Sequence, residues 1–151
     1  MDCYDVQVKA FVSGQLNEKE KVRAVYDRLA EQGIKITHDW TKTDKLTSYS
    51  LQQSDAAHRA LLDIRGVLTC DYYVLMTDNR LQGKGMYAEL GAALALAESR
   101  GTPEVFVVGP KNHESIFYYH PLINHCDDLE ECIEMIQIKA QRSRIRLSPA
   151  G

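Results

Sequence analysis

The amino-acid sequence predicts an α/β protein: a single-domain, Rossmann- or flavodoxin-like three-layer sandwich built on a five-stranded parallel sheet. Two observations predict this fold. Segments of strand-like composition alternate with segments of helical periodicity along the chain, which is typical of right-handed βαβ units with helices on both faces of the sheet. In addition, residues 72–77 (YYVLMT) form a nearly continuous apolar run, as expected of a strand buried on both faces.

The chain length favours one domain. Its 151 residues match the roughly 150 residues of an average domain. We place this domain at residues 1–140 and treat residues 141–151 as a basic C-terminal tail, which we expect to be a frayed and solvated end.

The first strand, helix and second strand follow from local patterns. Residues 6–13 are rich in β-branched and aromatic side chains and stop at Gly14, so they are predicted as the first strand. Apolar residues then recur at helical spacing over residues 18–32, and Gly33 is a good helix stop. Residues 34–39 alternate in polarity and are predicted as the second strand.

The middle of the chain contains a loop, a helix and the buried strand. Residues 40–50 are rich in Thr, Lys and Ser and predict a loop. Residues 54–68 predict a helix with one apolar stripe, formed by Ala57, Ala60, Leu61, Ile64 and Leu68. The third strand at residues 72–77 leads into a loop at residues 78–85 that contains two glycines.

The last third of the chain continues the alternation. Residues 86–99 are rich in Ala and Leu and predict a helix that ends at Gly101 and Pro103. The remaining predicted elements are a fourth strand at residues 105–109, a short helical turn and then a fifth strand (122–125) within residues 116–126, and a last helix at residues 127–140.

Composition and charge exclude several classes of protein. The net charge is −3 and the isoelectric point about 5.9, so the chain lacks the basic field of a nucleic-acid-binding protein. No apolar run approaches the roughly 20 residues that span a bilayer. The N-terminal segment MDCYDVQVKAFVSG has an early acid and no long apolar core, which is unlike a signal peptide. We therefore expect a cytoplasmic protein without nucleic-acid or membrane partners.

The cysteines and histidines predict neither disulfides nor a metal site. Cys3, Cys70, Cys126 and Cys132 are scattered without a C-x-x-C pair, so we expect reduced thiols. His120 and His125 lie near Cys126, but their spacing fits no standard zinc ligand set. We expect no metal and no cofactor.

The predicted topology indicates where a ligand binds. In an open α/β sheet, ligands bind at the carboxyl ends of the strands, near the point where the strand order reverses. Residues 13–17, 39–45 and 78–87 follow the first three strands and meet at this edge. The third of these segments contains Gly83 and Gly85, which allow close approach of the backbone to a ligand, and Glu89 follows in the first turn of the predicted helix.

Glu89 is an unusual residue for such a helix. A glutamate in a first turn can simply complement the helix dipole, an effect worth a few tenths of a kcal/mol. The helix is nevertheless strongly apolar, and Gly91 and Ala92 leave space beside the carboxylate. Carboxylates on buried helices usually have a partner or a function, which favours a functional role for Glu89.

Four stretches of the chain resemble one protein family. The segment GKGMYAELGAALALA at residues 83–97 resembles the nucleophile motif of the nucleoside 2-deoxyribosyltransferase family, which includes the 2'-deoxynucleoside 5'-phosphate N-hydrolases. FVSG at residues 11–14, THDW at residues 37–40 and DIRGVLTCD at residues 63–71 resemble further family stretches in the same order. The resemblance covers roughly residues 6 to 109.

The resemblance implies catalytic roles for two carboxylates. Glu89 aligns with the family's nucleophile, and Asp63 aligns with the aspartate that assists at the base or sugar. Cleavage of an N-glycosidic bond passes through an oxocarbenium-like centre, which a nearby carboxylate can trap as a glycosyl ester while a second acid protonates the leaving base. Water or another base then resolves the ester, giving a hydrolase or a transferase.

The substrate expected from this resemblance is a small-molecule nucleoside or nucleotide. Its contacts are predicted at the three strand ends: Ser13, Gly14, Gln15, Asp39, Trp40, Asp78, Gly83, Gly85 and Met86. Trp40 either stacks on a base or covers the edge of the core. Asp39 is expected to accept hydrogen bonds from a base or sugar.

The sequence also departs from the family pattern. Phe11 stands where many members carry tyrosine, and the first loop, residues 14–17, has no arginine to bind a 5'-phosphate. Lys84 or Arg80 can take over that role. The base, the sugar and the acceptor stay open at this point.

Two other functions compete with this interpretation. One is a TIR-like NAD glycohydrolase, which also uses a glutamate on a helix, and the other is a catalytically silent nucleotide-binding module. The second is favoured if Phe11 has removed an essential hydroxyl and Asp63 points to solvent. P-loop and dinucleotide-binding motifs are absent from the sequence.

Clustered aromatic residues predict self-association. Tyr118, Tyr119 and His120 precede Pro121, and Tyr87 lies beside Glu89. Aromatic side chains are enriched at protein interfaces, and the family resemblance implies dimers in which a neighbour helps to close the site. We expect a homodimer or larger assembly with residues 116–121 near a partner's pocket; the alternative is that these tyrosines pack locally.

Overall fold

A computed structural model describes residues 7–147, which form a five-stranded, all-parallel sheet with helices on both faces. The elements in chain order are β1 (Lys9–Ser13), α1 (Lys19–Glu31), β2 (Lys35–Ile36), α2 (Gln53–Thr69), β3 (Tyr72–Met76), α3 (Lys84–Arg100), β4 (Glu104–Val108), β5 (Ile123–Cys126) and α4 (Leu129–Leu147). Short 3₁₀ turns occur at Leu16–Glu18, Trp40–Lys42 and Ile116–Tyr119. The predicted fold class is confirmed.

The strand order is β2-β1-β3-β4-β5, which is the flavodoxin-like order. The order reverses between β1 and β3, because the chain runs from β1 outward to β2 and returns to β3 on the other side. Ser13 at the end of β1 is in register with Leu75 near the end of β3. This places the loops that follow β1 and β3 side by side at the carboxyl edge of the sheet.

Two apolar layers enclose the sheet. On one face, α1 and α4 cover the strands through side chains such as Val25, Leu29 and Ile133. On the other face, α2 and α3 cover them through Val67, Leu90 and other residues. Burial of β3 on both faces agrees with its continuous apolar sequence.

Two local features of the predicted elements differ from the structure. β2 contains only two residues. The backbone N–H of Thr37 still bonds to the carbonyl of Ala10, but its Oγ1 donates a hydrogen bond to the carbonyl of Gly66 on α2, and the chain then leaves the sheet. The predicted frayed tail is wrong for residues 141–147, because α4 continues to Leu147. Acidic residues in its first turn and arginines in its last turn suit the helix dipole. Residues 1–6 and 148–151, with Cys3 and the first residue of the predicted first strand, lie outside the described part.

The apolar stripe predicted on α2 lies on the surface. Ala57, Ala60, Leu61, Ile64 and Leu68 are all exposed. The helix packs on the sheet through Gly66 and Val67 instead, and the Phe11 ring comes within 2.7 Å of the position that a Cβ on Gly66 would occupy. The absence of a side chain at residue 66 therefore sets how closely α2 approaches β1.

Among the helices of residues 7–147, none combines the length and the apolar character needed to cross a membrane.

Candidate active site

A cavity of about 720 Å³ opens at the carboxyl edge of the sheet, where the strand order reverses. This volume lies within the usual range for small-molecule sites. Eight of the residues predicted for the site line it: Gly14, Gln15, Trp40, Asp63, Gly83, Gly85, Met86 and Glu89. The structure therefore brings both predicted catalytic carboxylates to one cavity, although they lie on different helices.

Glu89 lies in the second turn of α3. The helix begins at Lys84 with Gly83 as its N-cap, two residues earlier than the sequence predicts. Because the helix dipole acts mainly on charges in the first turn, it accounts for a glutamate at this position less well than the predicted helix start implied. One oxygen of the carboxyl, Oε2, accepts a hydrogen bond from the hydroxyl of Ser13 at the end of β1.

Burial raises the pKa of Glu89 to about 8. The hydrogen bond from Ser13 opposes this rise, because it favours the ionised carboxylate. The negative charge of Asp63 raises the pKa further. A carboxyl whose pKa lies near neutrality, in a cavity and beside a second carboxyl, is the arrangement found in acid–base and nucleophilic sites.

Asp63 faces the same cavity from α2. Its Oδ1 lies 3.5 Å from Nε2 of His38, and within residues 7–147 that oxygen has no hydrogen-bond partner. Burial raises the pKa of Asp63, whereas the charges of His38 and Arg59 lower it. The charge of Asp63 also raises the pKa of Glu89, so the two carboxyl groups interact electrostatically within the cavity.

Packing of the protein on itself leaves little room for a side chain at two of the predicted glycines. A Cβ on Gly14 would lie 2.8 Å from a methyl group of Val22. A Cβ on Gly83 would lie 3.1 Å from the sulfur of Met86. The space above Gly85 is open, with an oxygen of Glu89, Oε1, 4.0 Å away. Gly85 is therefore the glycine that leaves room beside the carboxyl.

Trp40 both holds part of the fold together and lines the cavity. Its indole N–H donates a 2.8 Å hydrogen bond to the carbonyl of Val12, and its side chain packs against both apolar layers. The residue also lines the cavity. This combination fixes the ring and leaves part of it available to a ligand.

Three of the predicted contact residues do not line the cavity. Ser13 is fully buried beneath Glu89. Asp39 caps the turn Trp40–Lys42, where its Oδ1 accepts from the backbone N–H of Thr41 at 2.9 Å. Asp78 is exposed and accepts a 3.2 Å hydrogen bond from Asn112. Their carboxylates and hydroxyl have protein partners in place of a ligand.

Several cavity residues were not predicted from the sequence. His38 is the partner of Asp63, and Lys45, His58 and Arg59 line the side formed by α2 and the segment before it. Lys84 lines the opposite side, whereas Arg80 is not among the lining residues. The concentration of Lys and His in residues 37–59 was visible in the sequence, but only the course of the chain shows that it faces Glu89.

The predicted aromatic cluster divides into a buried and an exposed part. Tyr118 is 1% exposed, and its hydroxyl lies 3.1 Å from that of Tyr87, so this pair packs locally. Ile116 and Tyr119, on either side, are 82% and 73% exposed.

The fold is similar to that of a known enzyme. The structure matches that of the CMP N-glycosidase BcmB from Clostridium botulinum with a TM-score of 0.53 and 14% sequence identity, over 85% of this chain and 98% of that chain. At this identity the likeness concerns the fold. No protein-family model matches the sequence, and neither does a curated protein.

Proposed function

We propose that the protein cleaves the N-glycosidic bond of a nucleoside 5'-monophosphate, with Glu89 as the nucleophile and Asp63 as the acid that protonates the leaving base. The observation that carries the proposal is the position of Glu89, a half-buried residue whose carboxyl has a raised pKa and opens onto the cavity where the strand order reverses. The likeness in fold to a CMP N-glycosidase supports it.

The two carboxyl groups can share the work of one displacement. The reaction requires Glu89 ionised and Asp63 protonated, so the proton that the raised pKa keeps on Glu89 in the free protein must be on Asp63 when the substrate reacts. An oxygen of Glu89 attacks the anomeric carbon as the bond to the base breaks, and Asp63 gives its proton to the departing base nitrogen. Water or a second base then displaces the carboxylate from the sugar.

A phosphate on the substrate is supported by the charges around the cavity. Lys45, Arg59 and Lys84 contribute cationic groups to its walls. Arg59 is held by the carbonyl of Asp44 and by Asp55 at 3.9 Å, whereas Lys84 stands at the start of α3, where the free N–H groups also favour an anion. We expect Lys84 to make the main contribution to phosphate binding.

The experiment that tests the proposal is a substrate panel. Nucleosides, 5'-monophosphates including CMP, and NAD are incubated with the protein, with and without an acceptor base, and the released base is measured by chromatography. We expect release from a 5'-monophosphate and slower release from its nucleoside. Dependence on the acceptor identifies a transferase, and release with water alone identifies a hydrolase.

The role of Glu89 is tested by Glu89→Ala. Removal of a covalent nucleophile is expected to lower the rate by a factor of about 1,000 or more. Glu98→Ala is the matched control, because Glu98 is an exposed glutamate on the same helix. Activity of Glu89→Ala within tenfold of the unmodified protein would refute the assignment.

Nicotinamide release from NAD supports the NAD glycohydrolase, and binding without turnover supports the silent module.

The proposal includes a homodimer. The surface that α2 and α3 share carries exposed apolar residues on α2 and exposed small residues on α3, namely Leu61, Ile64, Leu68, Ala88, Gly91 and Ala95. Ile116 and Tyr119 extend it on the same face of the sheet, because Tyr118 between them packs on α3. Apolar helix surfaces of this kind usually mark an interface, and a second copy of the chain is the proposed occupant.

A further inference from the structure

We infer that Ser13 and Tyr73 position the carboxyl of Glu89, so that Oε2 is held by the protein and Oε1 is the oxygen presented to the sugar. The inference rests on the proposed role of Glu89 as nucleophile. It gives Ser13 a role other than the predicted substrate contact, and it adds Tyr73, a residue that the sequence did not single out.

Ser13 holds Glu89 from below. The residue ends β1, is 0% exposed, and does not line the cavity, so a bound ligand does not reach its hydroxyl. That hydroxyl donates to Oε2 of Glu89. A hydrogen bond from a rigid central strand fixes both the rotation of the carboxyl group and the identity of its free oxygen.

Oε1 lies on the open side of the carboxyl. It faces Gly85, one helical turn earlier, at 4.0 Å from the position that a Cβ would occupy there. Gly85 lines the cavity, and apart from its chain neighbours and the backbone of its own helix, a Cβ at this residue would meet no other atom within 4 Å. The oxygen that Ser13 does not hold is therefore the one beside open space.

Tyr73 supports the same arrangement from the neighbouring strand. It is 0% exposed, and its hydroxyl donates a 3.3 Å hydrogen bond to the carbonyl of Met86, in the first turn of α3. Burial is the main cause of the raised pKa of Tyr73, and the charge of Glu89 adds to it, so the phenol and the carboxyl interact. Phe11 stacks on the Tyr73 ring at 6.1 Å with an interplanar angle of 6°, which restricts its movement.

The two strands therefore hold Glu89 in complementary ways. Tyr73 on β3 ties down the helical turn that precedes the glutamate, and Ser13 on β1 ties down its carboxyl group. Asp63 on α2 is the charged group that faces Glu89 from the other side and raises its pKa. Burial raises the pKa of Tyr26 on α1, and the charges of Asp39 and Glu89 add to this rise.

The first test measures the carboxyl directly and needs no substrate. The titration of Glu89 is followed by NMR of protein labelled with ¹³C at the glutamate carboxyl, with Glu89→Gln identifying the resonance. Ser13→Ala and Ser13→Cys both remove a good hydroxyl donor, and cysteine also keeps the volume of the side chain. We expect both variants to move the midpoint of the Glu89 titration to higher pH, because the lost hydrogen bond favours the ionised form.

The second test uses the reaction. Loss of a hydrogen bond to a charged group is expected to lower kcat of Ser13→Ala by about 10- to 100-fold. KM should change little, since Ser13 lies beneath the nucleophile and outside the cavity lining. The alkaline shift of the Glu89 titration should appear in the pH profile as well. Tyr73→Phe, which keeps the ring, is expected to lower kcat about fivefold, the magnitude of one neutral hydrogen bond.

Ser99→Ala is the matched control. Ser99 is an exposed serine near the other end of α3, and its hydroxyl donates a hydrogen bond to the carbonyl of Leu96. An unchanged Glu89 titration in both Ser13 variants, with their folding verified by circular dichroism, overturns the role of Ser13. If Tyr73→Phe has the same kcat as the unmodified protein, the positioning role of Tyr73 is overturned. If no substrate is cleaved at all, the proposed function fails, while the NMR titration still decides whether Ser13 positions the carboxyl.

Discussion

Replacing Glu89 by glutamine is expected to stabilise the folded protein increasingly as the pH rises. Burial raises the pKa of Glu89 from its ordinary 4.5 to about 8, so the folded state holds the proton that the unfolded chain releases. The stability that this proton contributes is fully present below pH 4.5 and is lost as the pH rises through about 8. Glutamine has no charge to bury, and its contribution does not vary with pH.

The magnitude follows from the size of the pKa change. A rise from 4.5 to about 8 corresponds to roughly 5 kcal/mol, since each tenfold change in acid dissociation is worth about 1.4 kcal/mol. The cavity beside Glu89 admits water, which screens the ionised carboxylate and reduces this figure. We expect the free energy of unfolding of Glu89→Gln, relative to the unmodified protein, to increase by about 2–4 kcal/mol between about pH 5 and pH 9.

The assay is urea denaturation of both proteins at a series of pH values between these limits. All other titrating groups are common to the two proteins, so the difference between their unfolding free energies isolates Glu89. Glu98→Gln, an exposed glutamate on the same helix, is the control and is expected to change by less than about 0.5 kcal/mol across the range.

A flat difference between Glu89→Gln and the unmodified protein from acid to alkaline pH would refute this reasoning. It would mean that the carboxyl is as well solvated in the folded state as in the unfolded chain. The raised pKa would then no longer support a functional role for Glu89.

Three further outcomes are expected. Asp63→Asn should move the titration of Glu89 to lower pH, because it removes a negative charge that raises the pKa of Glu89. Carboxyl NMR measures this midpoint, and an unchanged value would show that the charge of Asp63 does not act on Glu89. Trp40→Phe should lower the free energy of unfolding by about 1–3 kcal/mol, because it leaves the carbonyl of Val12 without the indole N–H as a donor. Urea denaturation measures this loss, and a loss below about 0.5 kcal/mol would contradict the prediction. Ile64→Glu should yield a 17.1 kDa monomer by light scattering, whereas Ile145→Glu on α4 should not affect assembly; a monomeric unmodified protein would rule out the dimer.

The order of elements could be predicted because each depends on local pattern. The apolar run at residues 72–77 became the central strand β3, and Gly33 and Gly101 end their helices with positive φ angles. The length of β2 could not be predicted this way. Its residues alternate in polarity as a strand should, but the side chain of Thr37 bonds to α2 and the turn capped by Asp39 follows.

The packing of α2 was beyond prediction for a different reason. A helical stripe of apolar residues is normally assigned to the core, and five such residues on α2 are exposed. The helix contacts the sheet through Gly66, whose lack of a side chain admits the ring of Phe11. Which face of a helix is buried depends on the shape of the neighbouring surface, and a glycine carries no hydrophobic signal.

The candidate site was predicted where strand ends define it and less well where tertiary contacts do. Gly85 and Glu89 lie in the first two turns of α3, the helix that follows β3, so the rule for parallel sheets places them at the carboxyl edge. Ser13, Asp39 and Asp78 also follow strands, but each has a protein partner that the sequence does not show. The proximity of His38 to Asp63 joins residues of two elements, and no local pattern relates them.

The first strand shows why a single departure from a family pattern does not decide function. Phe11 stands where members of the family that the sequence resembles often carry tyrosine, and this is one of the two features that would favour a silent binding module. In the structure the Phe11 ring packs against α2 and stacks on Tyr73. A hydroxyl donor nevertheless reaches Glu89 from Ser13, two residues further along the same strand and on the same face. A missing hydroxyl at residue 11 therefore does not leave the carboxyl without a donor, because Ser13 supplies one.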